Sequence, residues 1–144
     1  DKKRDIYDED IESIVVEEVL RVPHRFKLIY LNVVAGNVTV PTATIRMEVD
    51  GKFVQEAGFG DGPVDATFKT IKKLTKTKSK LLQFAINAIT GETEAQGEVT
   101  VRLEEKGYTV MGQGADTDVI VASAKAYINA LNKMEFKKRK LVGM

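Results

Sequence analysis

The chain has 144 residues, which suits one domain with its own hydrophobic core or two small halves that share a core. Its 22 basic and 21 acidic side chains nearly cancel, so the overall charge does not favour a nucleic acid as a partner. The absence of cysteine and the single histidine, His24, exclude disulfides, thiolate metal sites and metal sites built from several histidines.

Residues 8–20 are predicted to form a helix with one apolar face. Acidic residues 8–10 stand where a helix start favours negative charge, and Pro23 ends the pattern. Apolar residues recur at three- and four-residue spacing, namely Ile11, Ile14, Val15 and Val19. We therefore expect residues 1–22 to be a connector helix and linker that packs on a neighbouring region.

Three strands and a helix are predicted next. Residues 26–34 are apolar on both faces, which is typical of a central strand or of a strand at an interface. Residues 43–49 alternate between apolar and polar side chains, and Asp50–Gly51 then favours a tight turn that returns the chain over residues 52–59. Pro63 fits the first position of a helix. Its apolar stripe would consist of Val64, Phe68, Ile71 and Leu74.

The same order of elements recurs in the second half. Residues 81–89 predict a strand, and the alternating residues 99–104 predict another that turns at residues 105–107. Tyr108–Met111 would return the chain, and Gly112–Gly114 would form the turn before the last helix. That helix has good capping residues and an apolar stripe: Asp116, Thr117 and Asp118, then Ile120, Ala124, Tyr127 and Leu131.

The two halves match each other, which indicates an internal duplication. Arg46–Glu48 before Gly51 corresponds to Arg102–Glu104 before Gly107, and each half ends in Gly-x-Gly and a helix. We predict an α+β fold of two pseudo-symmetric strand-strand-strand-helix units, with antiparallel sheets packed on two helices and preceded by the connector helix. Chance similarity between two hairpin–helix units is the alternative.

The predicted organisation has three parts. After the connector, residues 23–134 form one domain, with repeat halves at about 26–76 and 81–133, and residues 135–144 form a basic C-terminal tail. The basic cluster within that tail predicts a solvated segment, with a nucleic-acid arm as the alternative. No apolar run is long enough to span a membrane and no signal peptide is visible, so a cytoplasmic location is expected.

The stretch Gly58–Asp65 is the best candidate for a binding site. Its three glycines let the backbone approach a ligand closely, and the following helix start offers unpaired N–H groups that suit an anion. It lacks the lysine and hydroxyl residue of a phosphate-binding loop. Asp61 and Asp65 suggest a helix cap and an acceptor for an ammonium group, which together would suit a free amino acid. A turn that needs glycine for its geometry alone is the alternative.

An apolar pocket for the ligand side chain is predicted from Leu81, Phe84 and Ala88. Their three- and four-residue spacing favours either a helical segment or a strand with a bend. Plain core packing is the alternative. The last helix carries Ala122–Ala126, whose small side chains would let another element approach closely, within the domain or across a dimer.

Several motifs resemble the regulatory domain of 2-isopropylmalate synthase, in the order found in that family. Gly60–Ala66 resembles its glycine-aspartate-glycine-proline signature. Ala95–Val99 and Gly112–Asp118 are similar to its second-half motifs, and Ala122–Asn132 is similar to its last helix. The likeness covers roughly residues 26–134, and residues 1–22 resemble the connector before this domain.

The resemblance implies a regulatory domain that pairs with a second copy and binds leucine as feedback inhibitor near the interface. The acyltransferase reaction of the parent, which condenses acetyl-CoA with 2-oxoisovalerate, would belong to a metal-dependent catalytic barrel absent from this chain. No catalytic residue, metal or cofactor is therefore expected here, and no nucleic acid or membrane partner. The effector site implied by position consists of Gly60, Asp61, Gly62, Val64, Asp65, Leu81, Phe84, Ala88, Ala95 and Gly97.

Three alternatives remain open. Citramalate synthase has the same domain with isoleucine as effector, although a larger aliphatic residue than Ala88 would be expected there. A dimerisation module without a ligand is the second alternative, and a free-standing enzyme is the third.

Phe84 stands where tyrosine is common in the family, so any hydroxyl contact to the ligand would be lost.

Overall fold

The computed structural model describes residues 24–90 and 95–142, and these form six strands and two helices. The connector helix predicted over residues 8–20 lies outside the described residues. In chain order the elements are β1 (Phe26–Val34), β2 (Thr42–Val49), β3 (Lys52–Phe59), α1 (Pro63–Thr75), β4 (Lys80–Thr90), β5 (Ala95–Glu105), β6 (Tyr108–Asp116) and α2 (Val119–Val142).

Each half folds into a three-stranded antiparallel sheet followed by a helix. The strand orders are β1-β2-β3 and β4-β5-β6. Both tight turns use left-handed backbone, with φ of 53° and 84° at Asp50 and Gly51 and of 54° and 85° at Lys106 and Gly107. Glycine takes the second of these positions without steric cost. The predicted α+β fold and its internal repeat are therefore confirmed.

The first strand of each unit contains a β-bulge at the same place. The register shifts between Leu28 and Tyr30 in β1, and between Leu81 and Gln83 in β4. An extra residue turns the following side chains over to the opposite face. Phe84 therefore shares a face with Leu81 despite their three-residue spacing, so this segment is a strand with a bend rather than a helix.

The core lies where the inner face of each sheet meets the helices. The alternating residues of both middle strands are fully buried: Ala43, Ile45, Met47, Val99, Val101 and Leu103. Phe68 of α1 stacks on Tyr127 of α2 with ring centroids 4.5 Å apart. Because these rings come from different units, the two halves share one hydrophobic core.

β1 is an edge strand, so the prediction of a central strand for residues 26–34 is wrong, while the alternative of a strand at an interface stays a prediction. Phe26 is buried, but Tyr30 and Val34 are about half exposed. The inner side chains of the strand meet the core, whereas its outer side chains are also apolar but stay on the surface. Apolar composition alone does not distinguish a central strand from an edge strand with an exposed apolar face.

The basic residues near the C-terminus do not form a tail. α2 runs to Val142 and so includes the cluster that was predicted to lie in a separate segment over residues 135–144. Lys138 Nζ lies 2.8 Å from Glu105 Oε2 and 3.1 Å from Glu135 Oε2. Lys138 therefore attaches this part of the helix to β5.

Gly112–Gly114 lie within β6, so the turn predicted there is wrong. A Cβ on Gly112 would press against the carbonyl oxygen of Ala126 and lie 2.5 Å from the amide nitrogen of Ala130. A Cβ on Gly114 would lie 2.6 Å from the amide nitrogen of Ala126. These two glycines therefore allow α2 to lie directly on β6.

We expect Gly112→Ala to destabilise the domain by about 1–3 kcal/mol, the usual cost of overpacking a core, because the helix must move away from the strand. Gly36→Ala is the matched control, since its Cβ would meet no atom within 4 Å. Urea unfolding of both variants measures the difference. Equal midpoints for the two would contradict the close contact.

Candidate functional site

The start of α1 has unpaired backbone donors. Its N-cap is Gly62, which has an extended backbone with φ of −160° and makes no side-chain capping hydrogen bond. Pro63 occupies the first turn and has no N–H. Among the described residues, no acceptor faces the N–H groups of Val64 and Asp65. This end of the helix can therefore donate hydrogen bonds to an anionic group.

Asp65 already has partners inside the loop. Its Oδ2 accepts a 2.8 Å hydrogen bond from the Asp61 N–H and lies 3.2 Å from Lys69 Nζ. The Asp61 N–H holds the pKa of the Asp65 carboxyl below its usual value, against a smaller opposing effect of burial. Asp65 thus closes the loop, and the predicted role of Asp61 as the cap is wrong because Gly62 is the N-cap.

Gly60 is required by this loop. A Cβ at Gly60 would lie 2.5 Å from Asp65 Oδ2 and 2.6 Å from the amide nitrogen of Ala66. Its own N–H donates to the Pro41 carbonyl oxygen at 3.1 Å. The glycine therefore has a structural role at this position, whatever else it does.

The start of α2 is capped, in contrast to that of α1. Asp118 Oδ1 accepts hydrogen bonds from the N–H groups of Ile120 and Val121 at 2.8 and 3.3 Å. Asp116 Oδ1 in turn accepts from the Asp118 N–H at 2.9 Å. Asp118 Oδ2 has no partner among the described residues, so it remains available as an acceptor.

The two helix starts meet at a cleft of about 400 Å³. We call it the helix-start cleft. Pro63, the first residue of α1, and Asp118 both line this cleft. Val64, whose N–H is unpaired, directly follows Pro63 in the helix. The remaining lining is mostly apolar: Leu31, Asn32, Val33, Ala35, Ile120 and Val121. Donors for a carboxylate, an acceptor for an ammonium group and an apolar wall are the three requirements of a free amino acid.

A smaller cleft of about 180 Å³ lies along α1 and includes Asp65 and Leu81 from the predicted site. Phe68 lies between this cleft and β4, with its ring 5.6 Å from that of Phe84 in an edge-to-face contact. Tyr127 also lines the cleft, and burial raises its pKa to about 12. The predicted residues Asp65, Leu81 and Phe84 are thus brought together around Phe68.

The remaining predicted residues lie elsewhere. A Cβ on Gly97 would lie 2.8 Å from Val119 Cγ2, which places Gly97 at the start of α2. Ala88 pairs with Gly97, and Ala95 pairs with Thr90 in the same two strands. Ala88 lies about 20 Å along β4 from Leu81 at the usual rise per residue. One ligand of amino-acid size therefore cannot contact the whole predicted set within one copy of the chain.

The sequence reasoning did not identify Asp118 as a binding residue. The pattern at Asp116–Asp118 predicts cap residues, and that prediction is confirmed. The signal in the sequence was the internal repeat, in which Asp118 is equivalent to Gly62. In the structure, residues from both helix starts line one cleft.

Among the described residues, no group of three or more histidine, cysteine, aspartate or glutamate side chains could hold a metal ion. Within the same residues, neither helix is long and apolar enough to cross a membrane.

We expect Asp65→Asn to destabilise the domain at neutral pH but not in strong acid. The pKa of Asp65 in the folded protein is lowered below its value of 3.8 in the unfolded chain. The carboxylate therefore stabilises the fold at pH values above 3.8, and this contribution is lost as the pH falls through the pKa of the folded state. Urea unfolding of both proteins at a series of pH values from about 7 to 2 measures this difference. A difference that stayed constant across the series would contradict the role of the charged carboxylate.

Comparison with known proteins identifies the family. The model described as the LeuA allosteric (dimerisation) domain matches residues 5–135. The 2-isopropylmalate synthase of Syntrophus aciditrophicus is 63% identical over 139 residues, which make up 96% of this chain and 27% of that protein. Those of Heliobacterium modesticaldum and Nitratidesulfovibrio vulgaris are each 48% identical, over 94% and 93% of this chain and 27% and 26% of their own length. The chain thus spans about a quarter of the length of these relatives. It belongs to the LeuA allosteric (dimerisation) domain family.

Proposed function

We propose that this chain is the regulatory domain of a cytoplasmic 2-isopropylmalate synthase, that it self-associates, and that it binds leucine as feedback inhibitor. The family match and the names of the relatives support this assignment. The chain matches about a quarter of their length. The condensation of acetyl-CoA with 2-oxoisovalerate, and the divalent metal it uses, would therefore belong to the rest of the parent polypeptide.

The main support for amino-acid binding is the contrast between the two helix starts. Gly62 and Asp118 are equivalent positions in the repeat, because both follow the offset of 56 residues that separates Gly51 from Gly107. Asp118 satisfies the first N–H groups of its own helix, whereas Gly62 leaves those of α1 without a side-chain partner. The ligand carboxylate would accept hydrogen bonds from α1, and its ammonium group would donate to Asp118.

The apolar lining of the helix-start cleft would contact the ligand side chain. Leu31 and Val33 of β1 lie on one side, and Ile120 and Val121 of α2 lie on the other. A shift of one methyl group in such a pocket changes binding by only about 1–3 kcal/mol, so leucine and isoleucine differ modestly here. The relatives are named 2-isopropylmalate synthase, which favours leucine over the isoleucine effector of a citramalate synthase.

Several of the predicted site residues would complete the site near an interface between copies. Within one chain Leu81 lies about 20 Å along β4 from Ala88, which pairs with Gly97 near the start of α2, and Phe84 lies on an incompletely covered strand. A second copy is therefore the natural source of the remaining contacts. Effector binding would regulate the parent through a differential affinity for two arrangements of the domain, typically a coupling of about 1–3 kcal/mol.

Calorimetry of this chain with leucine, isoleucine and valine tests the proposal. We expect Gly62→Asp to abolish leucine binding, because its carboxylate would cap α1 and repel the ligand carboxylate. The position has an extended backbone and no atom within 4 Å of a Cβ, so the variant should fold. Gly62→Ala is the control, since it adds a Cβ without an acceptor and should retain binding. Equal leucine affinity in Gly62→Asp and wild type would overturn the site.

A second variant tests the ammonium contact separately. Asparagine caps a helix about as well as aspartate does, so Asp118→Asn should keep the stability of α2 while removing the negative charge. We expect leucine affinity to fall at least about tenfold, as for the loss of a charge-assisted hydrogen bond. Unchanged affinity would remove Asp118 from the site. No binding of any of the three amino acids by the wild-type domain would instead favour a dimerisation module without a ligand.

A further inference from the structure

We propose that two copies of this chain join through β4, with the two β4 strands antiparallel and side by side in one six-stranded sheet. This inference rests on the proposed self-association and specifies its surface and geometry. The two sheets have four edge strands, β1, β3, β4 and β6. An exposed edge offers unpaired N–H and C=O groups to another strand.

The inner face of β4 is incompletely covered. Ile86 pairs with Val99 of β5, and the two side chains lie on the same face of the sheet. Val99 is fully buried, whereas Ile86 is 49% exposed. Leu81 pairs with the fully buried Leu103 and is 43% exposed. The helices therefore cover β5 but leave much of the neighbouring apolar strand open.

The edge of β6 is blocked by side chains from α2. Lys137 Nζ donates to the carbonyl oxygen of Thr109 at 3.1 Å, and Lys133 Nζ donates to that of Met111 at 2.9 Å. The N–H of Gln113 donates to Asn129 Oδ1 at 3.0 Å. These alternate residues of β6 are bonded to the helix instead of being available to a second strand.

The edge of β1 is held by α2 at its first residue, and β3 carries an inward-facing charge. Asn132 bonds both backbone groups of Phe26: its Oδ1 accepts from the N–H at 3.0 Å, and its Nδ2 donates to the carbonyl oxygen at 2.9 Å. On β3, Glu56 pairs with the buried Ile45 and so lies on the helix-facing side, 3.6 Å from Lys73 Nζ. Inward-pointing charges of this kind disfavour pairing with another strand.

β4 has no comparable protection. Among the residues that the structure describes, no side chain hydrogen-bonds to a backbone group of β4. The ten residues from Leu81 to Thr90 contain no charged side chain. Two copies of this strand can therefore face each other without opposing like charges, and a second copy is the partner that the family description supports.

A two-fold axis perpendicular to the sheet would relate the two β4 strands. Facing residues of an antiparallel pair lie on the same face, so one residue near the middle of Gln83–Thr90 must face its own copy. Residues on either side would then face each other at equal distances from that point. The apolar inner faces of the two strands would become continuous, which would cover Phe84 and Ile86 of both copies.

Single-cysteine scanning tests this geometry. Because the chain has no native cysteine, any disulfide must involve the introduced residue. Cysteine is introduced in turn at positions 83–87, and disulfide-linked dimer is measured after mild oxidation. We expect cross-linking to peak at one position. Its immediate neighbours should cross-link poorly, because their copies would be about 8 Å apart, beyond disulfide reach. Ala57→Cys on β3 is the matched control and should remain unlinked.

Analytical ultracentrifugation separates the possible outcomes. A dimer with one cross-linking maximum on β4 supports the inference. Two results overturn edge pairing but leave self-association standing. One is a dimer with no cross-link at positions 83–87. The other is a dimer that cross-links equally at both inner positions, 84 and 86, and not at 85, because the strands would then meet through their inner faces. A monomer at all concentrations overturns both proposals. Ile86→Lys should weaken the dimer at least about tenfold, whereas Phe53→Lys on the outer face of β3 should leave it unchanged.

Discussion

The unequal lengths of the two helices determine which parts of the duplicated domain are covered. α2 has 24 residues and α1 has 13, although both begin at equivalent positions of the repeat. The additional turns of α2 carry Asn132, Lys133 and Lys137, which bind the edges of β1 and β6. α1 ends at Thr75, before a left-handed Lys76, so β4 receives no equivalent residues. One helix that ends early therefore leaves one edge strand bare.

The same comparison between repeats supports the proposed binding site. A duplicated unit starts with two copies of each position, so a difference between equivalent residues marks where one copy has acquired another role. Asp118 closes the start of α2, and Gly62 leaves the start of α1 open. Pro63 of one helix start and Asp118 of the other line the same cleft. The proposed ligand would bridge the unpaired N–H groups that follow Pro63 and the free carboxylate oxygen of Asp118. Neither half alone would supply both charges for a zwitterion.

Much of the fold could be predicted because its signals are local. Alternation located the two middle strands, and the Asp50–Gly51 turn located a hairpin. The end of β6 could not be predicted, because Gly112–Gly114 has the local pattern of a turn and becomes strand only through its contact with α2. The same distinction applies to the candidate site. The glycine loop is local, whereas the meeting of Pro63 with Asp118 depends on the packing of two units.

The two proposals are physically connected through aromatic side chains. Phe84 on β4 contacts Phe68 of α1, and Phe68 stacks on Tyr127 of α2. A strand added beside β4 would cover Phe84 and so restrict the position of α1, whose start would hold the ligand carboxylate. If strand pairing and the ligand favour the same position of α1, pairing of β4 increases ligand affinity. Because coupling between binding events is reciprocal, the ligand then increases the affinity of β4 pairing by the same factor. An effector site beside an incompletely covered strand is therefore a means of linking ligand binding to self-association.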